Sequence, residues 1–189
     1  MEINLANTLT LIRIATIPVI VFCFYSSIEF ARPIAGIIFG LAALTDMLDG
    51  YAARKLGQAS KFGEFLDPVA DKLMVAILLV FLVQDDPRIT VALVAVIIIG
   101  REITVSALRE WMASIASRAD VAVRWSGKVK TVLQMLGIAF MLYEHDILGI
   151  DIYNLGYIFL LISAGMTLWS MIVYLRAAWP AIERSGWNP

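Results

Sequence analysis

Six long apolar blocks, separated by short polar segments, run through the sequence. They cover approximately residues 8–28, 33–55, 64–84, 89–112, 128–147 and 153–176. A helix needs roughly 17–25 residues to cross a bilayer, and lone strands would leave backbone polar groups unpaired there. The pattern therefore predicts an all-α integral membrane protein with six transmembrane helices, forming a single domain over residues 1–189. A short interfacial helix is expected before the first span, up to Thr8.

The composition agrees with this prediction. Hydrophobic residues make up 60% of the chain and the mean hydropathy is +0.82, whereas soluble domains are about 45–50% apolar. Cys23 is the only cysteine, so no intrachain disulfide can form. The N-terminus has neither a basic segment nor a small-residue cleavage site, so we expect the first span to be retained.

The basic residues indicate the orientation. Of the 15 lysines and arginines, only Arg32 and Arg88 lie nearest the side of the membrane opposite the two termini. Because loops rich in Lys and Arg stay in the cytoplasm, both termini are expected to be cytoplasmic. On the other side, Asp85 and Asp86 precede Pro87, and we expect them to lie in a solvated turn.

Four aspartates interrupt the second and third blocks near the predicted cytoplasmic face. Asp46 and Asp49 share one face of the second helix, and Asp67 and Asp71 share one face of the third. The connection over residues 55–62 is short, so we expect the two helices to be antiparallel neighbours. Their carboxylates can then converge.

Converging carboxylates at membrane depth need compensation. A charged side chain at the bilayer centre costs at least ~2.5–3.5 kcal/mol, and repulsion between like charges adds to this cost. Oxygen ligands favour hard ions such as Mg²⁺ or Mn²⁺, and a pair of such ions can assist displacement at phosphorus. Small residues on the same stripes, Gly50, Ala53 and Gly63, leave room for a bulky group or for close helix packing. The simpler alternative is a set of independent surface charges on helix ends.

The segment from Asp46 to Asp71 resembles the signature of the CDP-alcohol phosphotransferase family. The matching pattern is D-x-x-D-G-x-x-A-R, eight residues, then G-x-x-x-D-x-x-x-D. The resemblance implies that family's six-helix membrane fold, often as a homodimer. It also implies transfer of a substituted phosphate from a CDP-linked donor to an alcohol, with release of CMP.

The resemblance also implies a role for each matched residue. Asp46, Asp49 and Asp67 would be mainly ligands to two divalent ions, while Asp71 would bridge a metal and act as the general base. Four further residues would line the cytidine diphosphate site: Gly50, Ala53, Arg54 and Gly63. The guanidinium of Arg54 suits a diphosphate, although it also fits a snorkelling arginine.

A second basic cluster points to an anionic acceptor. Arg101 and Arg109 lie about two turns apart on the fourth helix, and Lys128 and Lys130 open the fifth. Arg101 lies well within its span, where an unpaired cation is costly, so we expect it to face a polar cavity. Taken singly, each of these residues also fits a role in setting the orientation.

The resemblance extends along nearly the whole chain. Three segments, "NLANTLTLIRI", "GREITVSALREWM" and "VAVRWSGKVKTVLQM", are similar to the bacterial branch of the family that uses glycerol 3-phosphate. This similarity implies CDP-diacylglycerol as donor, sn-glycerol 3-phosphate as acceptor, and the bacterial inner membrane as location. Asn7, Thr10 and Arg13 match the N-terminal pattern, which would place them beside the donor head group. Ala6 departs from it, since relatives usually carry proline there.

Other functions remain open at this point. An inositol-phosphate acceptor is the nearest alternative within the family, and serine fits the positive charge less well. A divalent cation transporter would also place aspartates in the membrane, although no internal repeat is present and the basic cluster opposes cations. An intramembrane prenyltransferase would carry its two aspartate motifs on distant helices. No nucleic-acid partner is expected.

Overall fold

The computed structural model is built of α-helices over the residues that it describes. It describes residues 5–56, 61–114 and 124–184, and the side-chain surroundings of residues 8, 10–46, 66–112 and 127–180. Over these residues the helices are α1 (Leu5–Tyr25), α2 (Ala31–Leu56), α3 (Lys61–Asp85), α4 (Ile89–Ser114), α5 (Arg124–Tyr143) and α6 (Ile152–Arg184). The all-α prediction is confirmed, with one helix for each apolar block.

Most helix boundaries differ from the predicted ones by one to eight residues. The helix α5 ends at Tyr143 rather than at residue 147, because Glu144 has a φ of 65° and cannot continue a right-handed helix. The last helix runs on to Arg184. At the other end, α1 begins at Leu5 and is continuous through Thr8, so the expectation of a separate interfacial helix is wrong over the described residues.

The outer surface is apolar. Residues Ile89–Met112 of α4 and Ile152–Pro180 of α6 are each long and apolar enough to cross a membrane, and Thr10–Tyr25 forms a shorter apolar helix. Large side chains point outward from these helices, among them Trp169, which is 68% exposed. Many exposed large apolar side chains are typical of a surface that faces lipid, so the arrangement is that of a membrane protein.

The helices pack around one apolar core. The helix α5 lies along α6 and α2, and α1 packs against both α2 and α3. Fully buried core side chains include Phe39, Leu78, Ile98, Ile138 and Leu160.

Glycines allow a close approach between α5 and α6. A Cβ added to Gly137 would lie 2.9 Å from the carbonyl oxygen of Gly156, and one added to Gly156 would lie 2.7 Å from Cβ of Phe140. Side chains at these positions would force the helices apart, as expected for small-residue packing in membranes.

An ion-paired cluster closes the end of the bundle farthest from the aspartate motif. Asp86 is only 8% exposed, accepts hydrogen bonds from the Arg88 guanidinium, and accepts one at 2.6 Å from the Tyr153 hydroxyl. The Arg88 guanidinium lowers the pKa of Asp86 to about 2. The expectation of a solvated turn is therefore wrong for Asp86, because Arg88 of the turn and Tyr153 of α6 bind it and it is buried. The neighbouring Asp85 stays exposed and pairs with Arg32.

Candidate active site

The guanidinium of Arg13 joins the two helices that carry the aspartate motif. Its Nη2 lies 2.7 Å from Oδ1 of Asp46 on α2, and its Nη1 lies 2.9 Å from Oδ1 of Asp71 on α3. The arginine is 6% exposed, whereas each carboxylate is about one-third exposed, at 32% and 34%. A buried cation on α1 thus faces two acidic side chains that remain reachable from outside.

A third carboxylate faces the same side of α1. The Thr10 hydroxyl donates a hydrogen bond to Asp67, and Thr10 precedes Arg13 by three residues, which places both on one helix face. Asp67 and Asp71 are separated by four residues on α3 and likewise share a face. Three of the four motif aspartates therefore converge on one short stretch of α1.

This convergence differs from the predicted one. Over the described residues α2 and α3 make little contact with each other, since α1 packs against both. The predicted direct packing of the two motif helices is therefore wrong for this part of the chain. Asp46 of α2 and Asp71 of α3 instead come together at Arg13 of α1, whose positive charge compensates theirs.

The donor set fits hard divalent cations in its chemistry. All ligands available from the three aspartates are carboxylate oxygens, which Mg²⁺ and Mn²⁺ prefer. Among the described side chains, no three acidic, histidine or cysteine residues form a ready metal cage. Asp49, the fourth predicted ligand, lies on α2 outside the described side chains. Five other predicted donor-site residues also lie outside the described side chains: Asn7, Gly50, Ala53, Arg54 and Gly63.

A cavity of about 780 Å³ opens beside the aspartates. Asp67 and Asp71 of α3 form part of its wall, and α4 and α5 supply the remainder. The polar lining residues beyond the aspartates are Lys72, Glu102, Ser106, Glu110, Lys130, Thr131 and Gln134. The cavity therefore brings the predicted general base and part of the predicted acceptor cluster to one space.

Glu102 organises the basic side of this cavity. Its Oε1 lies 2.7 Å from Nη1 of Arg101 and 3.4 Å from Nζ of Lys130. Lys130 is buried, and Nε of Arg101 is buried with no hydrogen-bond partner among the described residues. Two cations of the predicted acceptor cluster thus meet at one carboxylate, with spare hydrogen-bonding capacity.

The other two predicted acceptor residues lie elsewhere. Arg109 is exposed, and its guanidinium lies 5.5 Å from the centre of the Tyr174 ring on α6. Lys128 is exposed near the start of α5. Neither belongs to the cavity lining.

Sequence reasoning missed several polar residues of the cavity, among them Glu102 and Gln134. Both had a signal in the sequence. Glu102 follows Arg101 directly, inside an apolar span where a cation requires a counter-charge. Gln134 lies four residues after Lys130, so it occupies the same face of α5.

Comparisons with known proteins agree with the motif. The sequence profile described as CDP-alcohol phosphatidyltransferase matches residues 3–174. A protein of Pseudomonas fluorescens called CDP-diacylglycerol–glycerol-3-phosphate 3-phosphatidyltransferase is 46% identical over 185 residues, covering 97% of this chain and 94% of its own length.

Two further relatives carry the same name. One, from Salmonella choleraesuis strain SC-B67, is 44% identical and covers 94% of this chain and 96% of its own length. The other, from Yersinia pestis strain Pestoides F, is 44% identical and covers 95% of this chain and 97% of its own. The profile match spans most of the chain and the relatives span nearly all of it, so the chain belongs to the CDP-alcohol phosphatidyltransferase family.

Proposed function

We propose that the chain transfers the phosphatidyl group of CDP-diacylglycerol to sn-glycerol 3-phosphate, giving phosphatidylglycerol phosphate and CMP. The observation that carries this proposal is the shared cavity, which has motif aspartates on one wall and Lys130 on another. A nucleotide-activated phosphate and an anionic alcohol need this combination of charges side by side. The names of the relatives favour the same donor and acceptor.

The reaction is a single in-line displacement. The primary hydroxyl oxygen of the acceptor forms a bond to the phosphatidyl phosphorus, while the bond from that phosphorus to the bridging oxygen breaks. CMP leaves with the bonding electron pair. The protein contributes mainly by holding the two reactants in line, because positioning accounts for much of the rate gain in such reactions.

Asp71 is the proposed general base. It lines the cavity and is about one-third exposed, so an acceptor hydroxyl can reach it. The ion pair with Arg13 holds the carboxylate in one orientation. From this position Asp71 accepts the proton that the attacking hydroxyl loses.

Four aspartates are the proposed ligands of two divalent ions, Mg²⁺ or Mn²⁺: Asp46, Asp49, Asp67 and Asp71. When bound, these ions supply positive charge that neutralises the donor diphosphate and makes CMP a better leaving group. Arg13 and Thr10 hold three of the carboxylates on the same side of α1.

The remaining motif residues are the proposed lining of the cytidine diphosphate site. Gly50, Ala53 and Gly63 give the nucleotide room, and Arg54 offers a guanidinium to the diphosphate. Asn7 and Thr10 lie at the start of α1, on the helix that faces the aspartates. The acyl chains of the donor stay in the bilayer.

The acceptor phosphate is the proposed ligand of the basic cluster. Lys130 and Arg101 meet at Glu102 beside the cavity, and the incoming phosphate takes the place of the carboxylate as their partner. Arg109 and Lys128 lie farther out and attract the dianion as it approaches. Arginine and lysine both suit phosphate, the former through paired hydrogen bonds.

We place this chemistry in a single membrane domain over residues 1–189. In this proposal all six helices cross the bacterial inner membrane, both termini are cytoplasmic, and the active site opens to the cytoplasm, where glycerol 3-phosphate is found. The excess of lysine and arginine on that face supports the orientation. A homodimer is the proposed assembly.

The test is a comparison of acceptors with purified protein in lipid–detergent micelles. CDP-diacylglycerol is offered with glycerol 3-phosphate, inositol 1-phosphate or serine, with Mg²⁺, with Mn²⁺ or with chelator. We expect metal-dependent CMP release and a phosphatidylglycerol phosphate product only with glycerol 3-phosphate. Preference for another acceptor, or CMP release that persists in chelator, would contradict the proposal.

A further inference from the structure

Gln134 lines the cavity and carries a hydrogen-bond acceptor that has no partner in the part of the chain that the structure describes. The side chain lies on α5, lines the cavity and is 5% exposed. Its Oε1 is buried and has no hydrogen-bond partner among the described residues. Leaving a buried polar atom unpaired costs about 1–3 kcal/mol. An unpaired buried atom in a native protein therefore points to a functional role, such as binding a ligand.

The position of Gln134 relates it to the acceptor cluster. It follows Lys130 by four residues, which is about one helical turn or ~6 Å along α5. Lys130 and Gln134 therefore line the same wall one above the other, while Asp71 lines the wall formed by α3. A small molecule held by Lys130 in this cavity therefore has Asp71 and Gln134 among the side chains that surround it.

The chemistry of an amide oxygen restricts what it can bind. Oε1 accepts hydrogen bonds and cannot pair with the oxygens of a phosphate dianion, which also only accept. Glu102 already meets the cations Arg101 and Lys130. The group that satisfies Oε1 of Gln134 must therefore bring its own donor, such as a hydroxyl.

From this accounting, which rests on the proposed function, we infer that Gln134 binds the C2 hydroxyl of glycerol 3-phosphate. The acceptor has three polar groups. Its phosphate pairs with the cations around Glu102, and its reacting C1 hydroxyl gives a proton to Asp71. The C2 hydroxyl is the one group left, and Gln134 Oε1 accepts its hydrogen bond. Gln134 thereby determines specificity for an acceptor with a hydroxyl at C2.

The experiment pairs one substrate change with one protein change. 3-Hydroxypropyl phosphate keeps the phosphate and the reacting primary hydroxyl of glycerol 3-phosphate but lacks the C2 hydroxyl. The wild-type protein is expected to prefer glycerol 3-phosphate by about 5–100-fold in kcat/KM, as for loss of one hydrogen bond to a buried group. In Gln134→Met, which keeps the length of the side chain, this preference should fall to about 2-fold or less.

Thr131→Val is the matched control. Thr131 lines the same cavity from α5, but its hydroxyl already donates to the carbonyl oxygen of Gly127 at 2.9 Å. This variant is expected to keep the wild-type preference. A general disturbance of the α5 wall would instead lower the preference in both variants, which would overturn the inference.

Two further outcomes would contradict the proposed role of Gln134. If Gln134→Met retains the wild-type preference, or if the wild-type protein uses both acceptors equally well, the inference is wrong. The second measurement needs no variant, so the test survives if Gln134→Met does not fold. If the wild-type protein releases no CMP with glycerol 3-phosphate, the proposed function fails as well; normal release without a preference contradicts the inference alone.

Discussion

The guanidinium of Arg13 lies 2.9 Å from the carboxylate of Asp71, and the same group lies 2.7 Å from Asp46. One cation on α1 therefore ties together two helices that otherwise make little contact over the described residues. The stability of the bundle therefore depends on the charge state of the candidate active site. The carboxylate oxygens of Asp46 and Asp71 hold the helices together through Arg13 and are also proposed metal ligands.

Arg13→Gln is expected to destabilise the protein in the absence of metal. Removing one partner from a buried ion pair costs about 3–5 kcal/mol, and we expect the lower end because both carboxylates are partly exposed. Added Mg²⁺ or Mn²⁺ should raise Tm more in the variant than in the wild type, because ions then become the main compensation for the carboxylates. Thermal unfolding in detergent, with chelator or with metal, measures both effects. Arg176→Gln, at an exposed position on α6, is the control, and equal behaviour of the two variants would refute the role of Arg13.

Asp71→Asn is expected to lower the rate of CMP release by about 10²–10⁴-fold, the usual contribution of a general base. The amide keeps the shape of the side chain and a hydrogen bond to Arg13, so binding of CDP-diacylglycerol should change little. Steady-state turnover and a separate donor-binding assay distinguish the two effects. Asp146→Asn, in an exposed loop at the far end of the bundle, should behave as the wild type. A near-normal rate in the Asp71 variant would exclude it as the base.

The helices could be predicted well, and the reason is physical. A span must be apolar over about 20 residues, so each apolar block gave one helix. The errors lie at helix ends, as at Glu144, where the backbone leaves the helical region, and at the end of α6, which continues to Arg184. The periodicity of α2 and α3 also showed which aspartates share a face. It did not show that α1 lies between those helices, because the order in which helices pack depends on contacts between residues far apart in sequence.

The residues that line the cavity were harder to predict from the sequence. Glu102 and Gln134 are polar residues in apolar surroundings, and polarity alone does not show which partner each one meets. The four basic residues of the acceptor cluster looked alike in sequence, whereas the structure separates buried Lys130 from exposed Lys128. Burial is set by the rotation of α5 against its neighbours α2, α3 and α6, which no local pattern fixes.

Lys130→Met is expected to raise KM for glycerol 3-phosphate by about 10–100-fold, because it removes a charged hydrogen bond worth roughly 1.5–3 kcal/mol. Lys128→Met, two residues earlier on the same helix, should raise it by only a few-fold, since Lys128 is exposed and does not line the cavity. KM for the donor should stay within about 2-fold in both variants. Equal effects of the two substitutions, or an effect confined to the donor, would show that Lys130 does not bind the acceptor.

Gly156→Ala is expected to destabilise the protein by about 1–3 kcal/mol, the usual cost of overpacking. The new Cβ would lie 2.8 Å from the carbonyl oxygen of Gly137, which as backbone cannot move away easily. Gly165→Ala, nine residues later on α6, meets nothing within 4 Å and should be neutral or stabilising by up to ~1 kcal/mol, given the higher helix propensity of alanine. Unfolding in detergent measures both. Similar values for the two variants would mean that α5 and α6 are not in close contact at Gly156.

Asp86 gives the far end of the bundle a defined pH dependence. The hydrogen bonds from Arg88 lower the pKa of Asp86 from 3.8 to about 2. A carboxyl group whose pKa is lower in the folded state than in the unfolded state stabilises the fold above its ordinary pKa, and this stabilisation is lost as the pH falls through the folded-state value. The wild-type protein should therefore lose Tm between about pH 4 and pH 2, and Asp86→Asn should start from a lower Tm at pH 6 and lose less over the same range. Asp146→Asn serves as the reference for general acid effects. If the curve for the Asp86 variant runs parallel to that of the wild type, the ion pair with Arg88 contributes no stability.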